Sequence, residues 1–227
     1  MVVILGGWLD ESVVMMELAA QRARLINHLR REIEDERVLR AMEQIPRELF
    51  VPEASRHLAY EDIPLPIGEG QTISQPYIIA LMTQSLQLGG TEKVLEVGTG
   101  SGYQAAILAR LVRKVVSVER IPTLAESAQR LLERLGYANV EVHVAGKTLG
   151  WPEDAPYEAI IVTAGAPSVP QALLDQLALG GRLVIPVGSR WDQELILVTK
   201  QKEGVARQYL VPCRFVPLVG EGAWSEE

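Results

Sequence analysis

The sequence predicts an α/β protein: a doubly wound, mostly parallel sheet with an N-terminal helical extension and an antiparallel hairpin at one edge. Three observations carry this. Short β-branched and aliphatic runs at 94–97, 115–118, 140–144, 157–162 and 182–186 alternate with helix-compatible stretches. The first run breaks into three alternate glycines, Gly98, Gly100 and Gly102, before a helical stretch over 104–111. Two later runs, 195–199 and 206–211, flank the turn residues Lys202-Glu203-Gly204 and read as a hairpin.

Residues 12–45 read as helix, with Ser12 a candidate cap and a break near Arg30-Arg31. Leu18, Leu25, Ile33, Val38, Leu39 and Met42 give the apolar positions. The charged cluster 30–37 is a solvated face with i, i+4 pairing. Pro46 ends the helix and Pro52 keeps the next stretch irregular. His28 and His57 stand alone and read as surface residues. A loop dense in proline and glycine spans 60–75. A helix over 76–88 follows, with Pro76 at its first position and Ser74 a candidate cap worth about 1 kcal/mol.

The strand at 94–97 turns into its helix through glycines, which serve where φ is positive or where a ligand lies against bare backbone. The loop is not a dinucleotide fingerprint, because Tyr103 holds the place of its third glycine, and the P-loop lysine is absent. Glu119 ends the next strand, 21 residues after Gly98. At that spacing a carboxylate meets a ribose diol beside such a loop, so an adenosine ligand is expected. A helix over 122–135 closes at Gly136. A further helix over 170–179, with Gly180-Gly181 as its stop, separates the last two parallel strands. Right-handed crossovers then bring the ends of the first, second and fourth strands together.

Composition sets the bounds. The chain has 227 residues, 48% hydrophobic and 22% charged, the balance of an ordinary globular protein. A net charge of −7 without a long basic run argues against nucleic-acid binding. The single cysteine, Cys213, excludes an internal disulfide and fits a reducing compartment. Three scattered histidines beside it make no zinc pattern, so no metal is expected. The apolar start, 1–8, is far shorter than the roughly 20 residues of a membrane span. It also lacks the basic flank of a secretory signal. Frayed or packed on a neighbouring surface, it belongs to a cytoplasmic protein without membrane contact, expected to be a monomer.

The segment from Glu96 to Tyr103 resembles the first S-adenosylmethionine motif of class I methyltransferases. More narrowly, Gly70-Gln71-Thr72-Ile73-Ser74-Gln75-Pro76 and the stretches 95–106, 160–167 and 181–188 resemble protein-L-isoaspartate O-methyltransferases. The likeness runs from about Val38 to Trp224. The resemblance implies a Rossmann-like methyltransferase fold in one domain over 1–227. Within it, 1–60 is the helical extension, 76–200 the cofactor-binding core and 201–227 the C-terminal edge segment.

It further implies S-adenosylmethionine as cofactor and S-adenosylhomocysteine as product. The implied acceptor is the α-carboxyl of L-isoaspartyl residues in age-damaged proteins and peptides, whose methylation initiates repair. By that resemblance Glu119 binds ribose. Glu96, Gly98, Thr99, Gly100, Ser101, Gly102, Gly146 and Thr163 contact the cofactor, and Gln71, Thr72 and Ile73 orient the acceptor. Ser74 is the catalytic position beside the methyl, while Val216, Pro217 and Leu218 form a substrate wall.

One departure stands out. The family's acidic Gly-Asp-Gly after the third strand is replaced by Ala145-Gly146-Lys147, removing a hydrogen bond to the adenine amine worth about 1.5–3 kcal/mol. That motivates a non-catalytic binding protein as the alternative, beside a methyltransferase for small-molecule carboxylates. The stretch 163–167 lacks the Asp/Asn-Pro-Pro-Tyr of amino-methylating nucleic-acid enzymes. A carboxylate acceptor with a pKa near 4 is already ionised at neutral pH, so no general base is required.

Overall fold

The computed structural model describes residues 11–225; the expectation for 1–8 falls outside them. Helix α1 (Glu11–Leu29) and helix α2 (Glu36–Gln44) divide where the sequence placed the break. Arg30 leaves the first helix to pair with Glu36 at 2.8 Å, and Asp35 caps the second by accepting from the Arg37 amide at 2.9 Å. Ser12, the expected cap, falls instead inside the first turn of α1. Pro46 and Pro52 each precede a short 3-10 turn, Arg47–Phe50 and Glu53–Leu58. His28 and His57 are exposed.

The proline- and glycine-rich loop contains a small antiparallel hairpin, strands β1 (Leu65–Gly68) and β2 (Gln71–Ile73). Leu65 and Ile73 pair across it and both are buried, which holds two very short strands in register. Helix α3 (Pro76–Ser85) follows with proline in its first turn, but Ser74 does not cap it. Asp62 does so from a distance, accepting from the Tyr77 amide at 2.8 Å and from Gln75 Nε2 at 3.0 Å.

The main sheet holds β3 (Lys93–Val97), β4 (Lys114–Glu119), β5 (Val140–Val144), β6 (Tyr157–Val162), β7 (Leu177–Gly188), β8 (Gln193–Lys200) and β9 (Val205–Cys213). Their order is β5-β4-β3-β6-β7-β8-β9, parallel through β7 and antiparallel beyond it. Helices α4 (Tyr103–Ala109), α5 (Pro122–Arg134) and α6 (Gln171–Gln176) make the crossovers. Alternate strand residues face two separate cores. Val94, Ile161 and Val184 pack with Leu29, Leu39 and Ile107 on one side, while Leu95, Ile160 and Leu183 pack with Leu173 and Leu177 on the other.

The helix expected over 170–179 is shorter and the strand after it longer. Tyr157 pairs with Leu177, but Ala159 pairs with Arg182, so β7 carries extra residues against β6. Gly180 sits at φ +78° in this bulge, and a Cβ on Gly181 would lie 2.8 Å from the Ala178 carbonyl oxygen. These glycines shape a bulged strand and do not stop a helix. Chain direction across the sheet reverses between β3 and β6, and ligands of open α/β sheets bind beyond the strand ends at such a point.

Candidate active site

A cavity of about 510 Å³ opens at the carboxyl ends of β3, β4 and β6. That volume suits a nucleoside cofactor and part of a second substrate. Its floor is the glycine loop. Gly98 lies at φ +100°, and an added Cβ would come within 2.3 Å of Thr163 Oγ1, which donates to the Gly98 carbonyl at 2.6 Å. Gly100, at φ +51°, lies under Ile67 of the hairpin, whose Cδ1 would stand a tight 3.2 Å from an added Cβ. Positive φ and these close approaches to Thr163 and Ile67 require glycine at both positions, which leaves a cavity floor of backbone without side chains.

Glu119 lines the cavity from the end of β4 and is 7% exposed. Its Oε2 accepts from the Gly100 amide and its Oε1 from the Ile121 amide, each at 2.9 Å. The carboxylate is thereby fixed in orientation, with lone pairs left for a diol. It is the one carboxylate among the described residues lining the cavity.

Fourteen of the residues singled out from the sequence meet here: Gln71 to Ser74, Gly98 to Ser101, Glu119, Gly146, Thr163 and Val216 to Leu218. Two do not. Glu96 is wholly buried within β3, where its Oε2 accepts from Ser117 Oγ at 2.5 Å and its Oε1 has no partner. Ser117 Oγ in turn lies 2.5 Å from Thr99 Oγ1. Burial pushes the Glu96 carboxyl up to about 8, against the Ser117 hydrogen bond and with a smaller contribution from nearby Glu119. Glu96 therefore stands behind the loop and is not among the residues lining the cavity. Gly102 caps α4 at φ +87° and faces α5, where a Cβ would stand 3.3 Å from Ala128 and Leu132. Gly102 thus packs against α5 and is not among the residues lining the cavity.

The opposite wall comes from sequence-distant segments. Ser74 lines the cavity, and its carbonyl accepts from Arg47 Nη2 at 3.0 Å. Arg47 is fully buried, lies 5.1 Å over the Tyr103 ring and leaves its other nitrogens without protein partners. Burial lowers its pKa. Nothing in the local sequence marks Arg47 or Asp62, because both matter only through residues far along the chain. The 216–218 wall is stitched to the end of β6: the Gly165 amide donates to the Val216 carbonyl and the Leu218 amide to the Gly165 carbonyl, both at 2.8 Å. Trp224 closes this side, its Nε1 donating to the Gly165 carbonyl at 3.0 Å. Gly146 and Lys147 are exposed on the third side.

A bare glycine loop, a fixed carboxylate at the neighbouring strand end and this strand order define a class I S-adenosylmethionine-dependent methyltransferase. The family model described as Protein-L-isoaspartate(D-aspartate) O-methyltransferase (PCMT) matches residues 20–223. Protein-L-isoaspartate O-methyltransferase 1 of Syntrophobacter fumaroxidans is 60% identical over 195 residues, 86% of this chain and 91% of its own. The Geobacter metallireducens protein-L-isoaspartate O-methyltransferase is 55% identical over 212 residues, 93% of this chain and 98% of its own. A solved protein-L-isoaspartate O-methyltransferase matches with a TM-score of 0.81 at 34% identity, over 89% of this chain and 67% of the other. A Plasmodium falciparum relative, solved with S-adenosyl-L-homocysteine, matches at 0.74 and 27% identity, over 86% and 96%. The chain belongs to the protein-L-isoaspartate O-methyltransferase family.

Proposed function

We propose that this protein methylates the α-carboxyl of L-isoaspartyl residues in age-damaged proteins, initiating their repair. The observation that supports it best is that the glycine loop and the 71–74 segment face one cavity. S-adenosylmethionine, when bound, supplies an electrophilic methyl group on its sulfonium. Gly98, Thr99, Gly100 and Ser101 line it, Glu119 accepts from its ribose, and Thr163, through its bond to the Gly98 carbonyl, keeps the loop closed under it. Gly146 leaves the base edge open. Glu96 holds the loop through Ser117 and Thr99.

The acceptor carboxylate is ionised at neutral pH and needs no base; the described residues lining the cavity include no histidine. What the protein contributes is alignment and exclusion of water. Gln71, Thr72 and Ile73 place the acceptor, Ser74 presents its hydroxyl beside the transferring methyl, and Val216, Pro217 and Leu218 form the apolar wall. Arg47, gripping the Ser74 carbonyl, fixes that segment from below.

We read the chain as one methyltransferase domain, a cytoplasmic monomer acting on isoaspartyl proteins and peptides, with neither nucleic acid nor membrane as partner. No helix among the described residues is long and apolar enough to cross a membrane. The test is methylation of an isoaspartyl peptide against its aspartyl twin with labelled S-adenosylmethionine. Label on the isoaspartyl peptide alone is the expected result. Equal labelling of the two, or transfer only to free small acids, refutes the reading.

A further inference from the structure

A rim of paired arginines and tryptophans borders the cavity beside the 216–218 wall. Arg190 stacks over Trp224, its Cζ 5.0 Å from the ring centre, and Arg214 stacks over Trp191 at 5.1 Å. Trp224 lines the cavity, so the first pair begins where the site ends. Trp191 is 69% exposed on the turn between β7 and β8. So exposed a large aromatic adds little to the core, and such residues are enriched where proteins bind other chains.

The rim is rigid. Ser189 Oγ accepts from the Trp191 amide at 3.1 Å and from the Asp192 amide at 3.0 Å, closing the turn. Gln193, only 5% exposed, joins that turn to the segment carrying the wall. Its Nε2 donates to the Ser189 and Phe215 carbonyls at 3.1 and 3.3 Å, and its Oε1 accepts from the Phe215 amide at 2.8 Å. The turn carrying Trp191 is thereby joined to the segment carrying Arg214 and the 216–218 wall.

The chain carries net −7, and exposed Asp192 and Glu194 stand near this rim; the cation it offers is Arg214. Arg214 is exposed and makes no ion pair with a described carboxylate. A planar cation held over an indole and left unpaired is ready for a carboxylate.

We propose that this rim is a docking shelf for the substrate polypeptide flanking the methylated residue, and that Arg214 selects acidic side chains there. The proposal rests on the isoaspartyl reading above. The occupant is an extended peptide: each residue advances about 3.3 Å, so a chain leaving the cavity past exposed Pro217 meets the rim within a few residues.

The test is steady-state methylation of isoaspartyl peptides that differ only in one flanking residue, Glu, Gln or Lys, placed in turn at each of three positions on either side of the acceptor. Wild type should show, at one or more positions, a KM about three- to fivefold lower for Glu than for Lys, the size of an exposed charge pair. kcat should not change. Arg214→Glu should invert that order, while Trp191→Ala should raise KM for every peptide. S-adenosylhomocysteine affinity, measured by calorimetry, should be the same in all three proteins. The same KM order in wild type and Arg214→Glu, or an effect on kcat alone, overturns the shelf while the activity stands. Failure of wild type to methylate any peptide of the panel, the Gln-flanked ones included, overturns the isoaspartyl reading and the shelf with it.

Discussion

Glu96 carries a carboxyl wholly buried in β3, and its titration is an observable of the fold. Its folded pKa of about 8 lies above the 4.5 of the open chain. Between those values the folded protein keeps a proton that the unfolded chain has lost, so stability falls as pH rises, by about 1.4 kcal/mol per unit from this group alone. Below 4.5 the contribution is complete, and above 8 the loss levels off. Glu96→Gln should flatten that slope, and urea unfolding at pH 5, 6, 7 and 8 measures it; an unchanged slope places the proton elsewhere. At Gly146 an added Cβ would meet nothing within 4 Å, so Gly146→Asp is sterically free. Restoring the family's acid there should tighten S-adenosylhomocysteine binding about tenfold by calorimetry, the value of one hydrogen bond to a charged group. Unaltered affinity would show that the base is held by other groups.

Among elements, the segment ahead of α3 shows where a sequence misleads. Ser74, two residues before Pro76, has the look of a cap, yet Asp62 reaches the helix from an earlier loop. The Ser74 side chain is thereby left for the cavity. Ser74→Ala should accordingly leave stability within about 0.5 kcal/mol of wild type, where a lost cap would cost about 1 kcal/mol. kcat should fall at least tenfold, while calorimetry should find S-adenosylhomocysteine affinity unchanged. A stability loss with intact kcat would restore the capping reading. Strands β3, β4 and β6 are legible because each is a mostly apolar run buried on both faces, a pattern that needs no distant partner; edge strand β5 shows instead through the alternation of Val140, Val142 and Val144 with polar residues. The β1–β2 hairpin is not legible: its two strands are four and three residues long and exist because Leu65 and Ile73 reach a core built by helices elsewhere. Gly180-Gly181 carried the mark of a helix stop, and only pairing with β6 reveals a bulge.

At the scale of the molecule, one cavity is assembled from stretches as far apart as Gln71 and Ser225. Strand order explains this: the reversal between β3 and β6 opens a crevice, and the C-terminal segment is sewn to the end of β6 to wall it. The cofactor side was readable because its glycines and Glu119 act through local backbone geometry. Arg47 beneath Ser74 and Trp224 beside the wall escaped notice, since their roles arise from tertiary contact alone. The central claim is that this single cavity aligns methyl donor and carboxylate acceptor. A crystal structure with S-adenosylhomocysteine and an isoaspartyl peptide bound together tests it most directly. The account predicts ribose hydroxyls on Glu119, the thioether sulfur facing Ser74, and the α-carboxylate between the 71–74 segment and the 216–218 wall. A peptide seated elsewhere, or a sulfur turned away from Ser74, would contradict it.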